Sequence, residues 1–263
     1  MTPPASSSAA GSEEPGPPAG TARLAIRELA DVPGLTTGIT IRTADGGRGT
    51  RDDFGLATGG TAWEVTERYE ELAADVGLAS ASVCRQVHGT VLARAGFAPD
   101  QGVWIAGAAD GFVGRAEGRL FAVTVADCVP VYVVDPDSRA FALLHAGWRG
   151  AAAGILTHAV RTLGQRCDVR LDDLLVHLGA AICGPCYQVG PEVPAAFGRA
   201  VAGKSRFDVR AALAEEAESL GVPADQITIS SLCTRCPPGH LLHSHRGGGE
   251  RAGRMAAYLG WEV

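Results

Sequence analysis

The sequence predicts a mixed α/β or α+β sandwich. Three observations lead there. Short β-rich runs alternate with segments of helical spacing along most of the chain. Two of the strongest β-rich runs, Leu120–Val125 and Val129–Val134, stand on either side of Asp127-Cys128. Hydrophobic residues make up 46% and charged residues 20% of 263, so a sizeable core can form and disorder over the whole length is excluded.

The elements follow in order. Leu24–Leu29 and Thr37–Ile41 read as strands. Val65, Tyr69, Leu72 and Val76 recur at spacings of four, three and four, which predicts a helix over Trp63–Val76. Ser82–Val87 is strand-like and stops at His88-Gly89. Ala140–His145 is another apolar strand, and after Gly147 the run Ala151–Leu163 reads as a helix. Leu174–Leu178 is a short strand, Glu192–Ala202 and Val209–Leu220 are helical, and Ile227–Ser230 is the last clear strand. The first 22 residues are mostly Pro, Gly, Ser and Ala; they read as a disordered tail with neither the basic start nor the apolar run of a secretory signal. The expectation is one domain over residues 23–263 in a cytoplasmic protein.

Composition narrows the function. With 23 Lys and Arg against 29 Asp and Glu the net charge is −6, which argues against a nucleic-acid or anionic-membrane partner. The longest apolar stretch, Leu120–Val134, is interrupted by Asp127 and is too short to span a bilayer. The seven cysteines then read as thiols, metal ligands or catalysts rather than disulfides. Oligomeric state leaves no mark on the sequence.

Several motifs invite chemistry that their context withholds. Gly198-Arg-Ala-Val-Ala-Gly203-Lys204-Ser205 spells a phosphate loop. Pro191 and the apolar run after it instead mark a helix start, with Gly203 as that helix's C-cap. Cys183-Gly-Pro-Cys186 copies a redox pair, but Gly190-Pro191 cuts off the helix such a pair needs. Cys183/Cys186 and Cys233/Cys236 are two CxxC pairs with 46 residues between them, longer than structural zinc sites use, so they read as small packed thiols. His243-Ser-His245 is a single HxH, and seven histidines are too few for a multi-copper cluster. HExxH and the paired HxE and PCxxC of zinc deaminases are absent.

Three places join a strand end to a soft metal ligand or nucleophile: Gln86-Val-His88-Gly89, Ala126-Asp127-Cys128-Val-Pro130 and His145-Ala-Gly-Trp-Arg149-Gly150. One thiolate and two neutral imidazoles make a three-ligand catalytic zinc set with a fourth position for water. The gaps of 40 and 17 residues carry no local ligand signature, and a histidine at a strand end is more often a hydrogen-bonded structural residue. On spacing alone both readings stand.

QVHG, ADGFVG, VTVADCVPVYVVD, HAGWRG, GAAICGPCYQVGPEVPAAF and LHSHRGGGERAGRMAAYLGW occur in this order across roughly residues 35–261. Together they resemble the laccase-domain family. That family is also called polyphenol-oxidase-like, or the purine nucleoside phosphorylase family that includes the peptidoglycan-editing factor. The resemblance implies a single-domain, layered α-β-β-α sandwich. It implies zinc held by His88, Cys128 and His145, which also form the catalytic set, with Cu2+ as an alternative occupant. It implies phosphorolysis of adenosine, inosine, guanosine and methylthioadenosine, and deamination of adenosine, so purine nucleosides and phosphate are the expected partners. It also places Cys186 in a turn-and-strand motif and Gly198–Gly203 in a helix.

The sequence departs from the family at two points. Leu242-His-Ser-His-Arg246 stands where an aromatic-rich FFSYRR is usual, which alters the expected pocket wall. Asp53-Phe-Gly-Leu-Ala57 stands where SLNLG is usual, and is expected to be structural. For phosphate, Gly147–Gly150 at a helix start offers a cradle and Arg149 a forked donor, the plainer alternative for Arg149 being a surface ion pair. Arg246, beside Gly247–Gly249, is a second candidate anion contact. Asp127 either orients a metal ligand or caps a turn. Two other chemistries fit the same residues. One is a cysteine-type hydrolase or amidase acting on peptidoglycan precursors through Cys128 and His145; the other is a copper-dependent polyphenol oxidase.

Overall fold

The computed structural model describes residues 20–97, 101–236 and 241–263. The expected tail lies outside the described residues up to position 19. Thr21 already donates its amide to Asp75, and the Ala22 carbonyl accepts from Ile41.

Arg23–Ala25 (β1) and Leu35–Thr40 (β2) form the first antiparallel pair. Between them Arg27–Leu29, expected to continue a strand, coils into one 3-10 turn and sinks Leu29 into the core. Helix Ala62–Asp75 (α1) starts on a capping box: the Thr61 hydroxyl accepts from the Glu64 amide while the Glu64 carboxylate accepts from the Thr61 amide. Strands Ser80–Arg85 (β3), Ala93–Arg94 (β4), Gly102–Ala108 (β5), Gly111–Gly114 (β6), Arg119–Val125 (β7), Val129–Asp135 (β8) and Ala140–Ala146 (β9) follow.

The helix expected over Ala151–Leu163 is two helices, Trp148–Ala152 (α2) and Ile155–Cys167 (α3). Gly154 breaks the run in a left-handed conformation, φ 81°. Leu175–Leu178 (β10) and Gln188–Val189 (β11) lead to Glu192–Ala196 (α4). That helix was expected to reach Ala202; Gly198, at φ 71°, stops it early. The phosphate-loop lettering runs into Ser205–Arg206 (β12) and not into a helix, so the strand-to-helix setting of such a loop is missing. Val209–Leu220 (α5) runs from an Asp208 N-cap to Gly221. Ile227–Ile229 (β13), His245–Gly248 (α6) and Met255–Trp261 (β14) complete the order.

The strands build two six-stranded sheets, β1-β2-β14-β7-β3-β5 and β13-β10-β8-β9-β6-β4. Side-chain alternation assigns the layers. On β7, Leu120 and Ala122 face α1 beside Tyr69 and Leu72, while Phe121, Val123 and Val125 face the other sheet. On β9, Ala142 and Leu144 face α3 and α5, while Phe141 and Leu143 meet Phe121 and Trp261 between the sheets. The order is helix, sheet, sheet, helix, the mixed layered architecture that the motifs imply. β5, β6 and β14 escape a pattern reading because Gly and Ala dilute their apolar runs. No helix among the described residues is long and apolar enough to cross a membrane.

One topological feature positions the site. The parallel strands β3, β5 and β7 of the first sheet each hand the chain to the second sheet, as β4, β6 and β8. All three crossovers leave from the same edge. They carry His88, Asp110 and Asp127-Cys128, and β9 ends there with His145.

Candidate functional site

His88, Cys128 and His145, far apart in sequence, come together at that edge. Their ligand atoms all lie within 4.8 Å of one another, an arrangement able to hold a metal ion. Cys128 Sγ is 3.9 Å from His88 Nε2. The two imidazoles meet edge to face, centroids 4.7 Å apart at 80°. His145 lies on the inter-sheet face of β9 and is only 3% exposed; His88 is exposed and Cys128 half-buried.

Asp110 orders this group. Fully buried, it faces His145 Nδ1 across 3.0 Å, which leaves Nε2 for the Cys128 side. The same carboxylate accepts the amides of His88 at 2.8 Å and Gly89 at 2.7 Å, with Val87 at 3.2 Å. A carboxylate behind a ligating histidine fixes its tautomer and ring orientation. Burial pushes the Asp110 carboxyl up, but the His145 ring and these amides outweigh it and hold it below its ordinary range. Sequence reasoning missed this residue, although ADGFVG contains it; nothing in the sequence tells that an Asp-Gly at a strand start will lie under a loop some twenty residues earlier.

The backbone is strained beside two of the three side chains. Of four non-glycine residues with positive φ among the described residues, His88 (φ 59°) and Asp127 (φ 94°) are two. Such conformations cost on the order of 1–3 kcal/mol and persist where the surroundings over-determine them. Asp110 holds the first. The second is held through the Asp127 carboxylate, which accepts the hydroxyls of Thr234 at 2.6 Å and Ser244 at 2.7 Å and the amide of Arg246 at 2.6 Å. Asp127 therefore pins its turn to two distant loops, and so sets the Cys128 side chain without touching its sulfur.

Gly147 completes the packing. A Cβ there would stand 2.7 Å from His88 Cδ2 and 3.2 Å from Cys128 Sγ, so only glycine permits the approach. A Cβ on Gly150 would meet the Gly89 carbonyl at 2.6 Å.

Electrostatics tie the thiol to the rings. Burial pushes the Cys128 thiol up, but the charge of His145 and hydrogen bonds with both histidines prevail and bring it down to about 6. Burial lowers His145, and the Cys128 thiolate with Asp110 more than offsets that, raising it to about 9. The stable form of this pair near neutrality, without a metal, is thiolate with imidazolium.

The three side chains sit in a cavity of about 430 Å³, whose wall includes Trp148, Tyr187, Arg149 and Arg246. Arg149 is exposed and stacks on Trp148 at 4.3 Å. Arg246 lies over Tyr187 at 4.9 Å and donates to the Gln188 carbonyl at 2.6 Å. The expected glycine cradle begins a helix of only five residues, so the two guanidiniums are the stronger candidates for an anion contact. The departure at Leu242–Arg246 does reach the pocket wall, through His245 and Arg246. Asp53 is structural, accepting from the amides of Gly49, Gly55 and Arg254, and the residues after it, Gly55–Thr58, also line the cavity.

Comparison with known proteins places this geometry. Over 195 residues the chain is 34% identical to purine nucleoside phosphorylase YlmD of Geobacillus stearothermophilus, covering 67% of this chain and 70% of that one. Over 149 residues it is 33% identical to adenosine deaminase RL5 of an unknown prokaryotic organism, covering 52% of this chain and 56% of that one. The crystal structure of the Bacillus licheniformis hypothetical protein YfiH superposes with a TM-score of 0.80 at 25% identity, covering 93% of this chain and 98% of that one. The model of the family described as multi-copper polyphenol oxidoreductase laccase matches residues 40–262, and the chain belongs to that family.

Proposed function

We propose that the chain is a zinc-dependent purine nucleoside phosphorylase that also deaminates adenosine. One observation carries this reading: the His88, Cys128 and His145 ligand atoms lie within 4.8 Å of one another in a cavity with Arg149 and Arg246 on its wall. The names of the relatives, a phosphorylase and a deaminase, support the substrate class.

The donor set fits zinc, being one thiolate and two imidazoles with Asp110 behind His145. Bound there, zinc supplies an acidified water and a Lewis acid at neutral pH. The chain's own residues do the rest. Asp110 holds His145 by Nδ1 and shapes the His88 loop through its amides. Arg149 and Arg246 hold phosphate at the cavity wall and keep its charge paired while a phosphate oxygen replaces the purine nitrogen at ribose C1′. Deamination exchanges the C6 amino group for oxygen from water and releases ammonia; it needs no anion subsite. The domain over residues 23–263 contains every one of these groups.

The lowered Cys128 thiol beside the raised His145 also suits a cysteine-type hydrolase or amidase, with Asp110 orienting the base. Copper-dependent polyphenol oxidation fits less well. Among the described residues this is the only histidine-containing group of three or more ligands, and one such site lacks the multi-copper cluster that four-electron oxygen reduction requires.

The deciding experiment incubates purified protein with adenosine, with and without phosphate, follows adenine, ribose 1-phosphate and inosine, and measures metal per chain. The expected result is adenine and ribose 1-phosphate only with phosphate, inosine in both, and loss of all three in chelator. No nucleoside turnover under either condition overturns the reading. Amide cleavage that survives chelation favours the cysteine hydrolase.

A further inference from the structure

The two CxxC pairs that spacing reads as unrelated thiols meet in space. Cys183, Cys186, Cys233 and Cys236 have all four sulfurs within 4.8 Å of one another. The 46 residues between the pairs are occupied by β11, α4, β12, α5 and β13, and β13 pairs in parallel with β10, the strand just before the first pair. The chain therefore comes back beside its own start: Ala181 bridges Cys233, and the Thr234 amide donates to the Ala181 carbonyl.

We propose that these four cysteines form a structural zinc site, separate from the cavity. A zinc ion with Zn–S bonds of about 2.3 Å at the centre of a tetrahedron sets its sulfurs about 3.8 Å apart. Cys183 and Cys236 sulfurs stand 3.7 Å apart, and Cys186 and Cys236 sulfurs 3.5 Å apart. All four cysteines are free, and these separations far exceed a disulfide bond of about 2.05 Å.

Packing separates these four from ordinary core thiols. Cys84 and Cys167 are buried within the hydrophobic clusters, whereas the four are half-buried and belong to none of them. Polar groups surround them in the sense an anionic cluster requires. The Cys233 sulfur accepts the amides of Cys183 at 3.3 Å and Arg235 at 3.4 Å. Arg235 and Arg206 reach the carbonyls of Cys186 and Pro185, bringing two guanidiniums against a site that would carry a net charge of about −2 with four thiolates on one divalent ion. Four protein sulfurs close the coordination sphere, so the role is structural. Each thiol gives up its proton on binding, and no electron moves. The tie fixes Thr234, whose hydroxyl reaches Asp127 Oδ1, and thereby braces the turn that presents Cys128.

The test measures metal in full-length protein purified under reducing conditions. The native chain is expected to hold two zinc ions, and Cys128→Ala to keep one. Cobalt exchanged into Cys128→Ala is expected to give the intense sulfur-to-cobalt charge-transfer and visible bands of a tetrathiolate site. Cys183→Ser with Cys236→Ser is expected to lose one zinc and those bands. If that variant does not fold, the cobalt spectrum of Cys128→Ala decides alone. A metal-free Cys128→Ala chain, or disulfide-linked peptides joining these cysteines in the reduced preparation, overturns the proposal. Because Cys128→Ala lacks the cavity's thiolate, the outcome is independent of the nucleoside reading.

Discussion

Asp110 and His145 face each other across 3.0 Å at the meeting of the two sheets, and neither is accessible to solvent to any real extent. The pair makes one residue responsible for both histidines, since the same carboxylate holds the His88 and Gly89 amides. Asp110→Asn keeps the shape but places an amide NH2 against backbone N–H groups and removes the charge behind His145. Metal affinity is expected to fall by about 10- to 100-fold. Competition titration against a zinc chelator measures it, with circular dichroism confirming the fold. An unchanged affinity would mean that Asp110 serves the backbone alone.

Cys128 provides a pH test on metal-stripped protein. A thiol brought down to about 6 is a thiolate above that pH and a thiol below it. Alkylation of Cys128 should therefore rise with pH through a midpoint near 6 instead of near 9.0, and then level off. His145→Ala removes the charge opposing burial, so its midpoint should move up by a unit or more, on the order of 1.4 kcal/mol per unit. A midpoint that ignores His145 would separate the two groups electrostatically. Mass spectrometry of quenched samples reads both curves.

These two groups also show what the sequence carried and what it did not. The near-continuous apolar runs of β7, β8 and β9 are written in the residues, because each strand is buried on both sides by different layers. The spacing of α1 and α5 is equally plain, since one face of each packs on a sheet. Breaks were harder: Gly154 and Gly198 divide or shorten helices whose apolar spacing continues past them. The meeting of His88, Cys128 and His145 is a property of three crossovers leaving one edge, which no local pattern encodes. Side-chain chemistry offered these residues as one candidate set, and the ordered motifs, through resemblance, chose that reading over the structural one. Asp110 lay beyond both routes, because its partners are distant and its neighbours ordinary in sequence; the two CxxC pairs were visible, but the 46 residues between them hid that they meet.

Gly147 tests how closely the site is packed. Gly147→Ala adds one methyl group 2.7 Å from the His88 ring and 3.2 Å from the Cys128 sulfur. One or both side chains must move, on a loop already strained at φ 59°. Stability is expected to fall by about 1–3 kcal/mol, and metal affinity to fall with it. Gly96→Ala, whose nearest new contact would be at 3.7 Å, is the control and should change neither. Denaturant unfolding of the metal-free chains separates the packing cost from the ligand displacement. Equal metal affinity in the two variants would place the ligating geometry elsewhere.

Asp52 supplies a stability test away from His88, Cys128 and His145. It is 6% exposed and faces His243 Nε2 at 3.7 Å, an ion-pair distance. Burial raises its carboxyl, but His243, the Thr50 hydroxyl and the Thr43 amide prevail and depress it well below 3.8. A depressed folded-state value means that the unfolded chain binds the proton first as pH falls. Stability from this group is complete above about pH 4 and is lost progressively below it, toward the folded-state value. Asp52→Asn should therefore be less stable than the parent at pH 7, by on the order of 1–3 kcal/mol. The gap should narrow as pH falls from 4 to 3, because the parent alone loses this contribution. Urea unfolding at pH 7, 5, 4 and 3 measures the difference directly. A gap that stays constant across the series would show that Asp52 acts through shape and not through its charge.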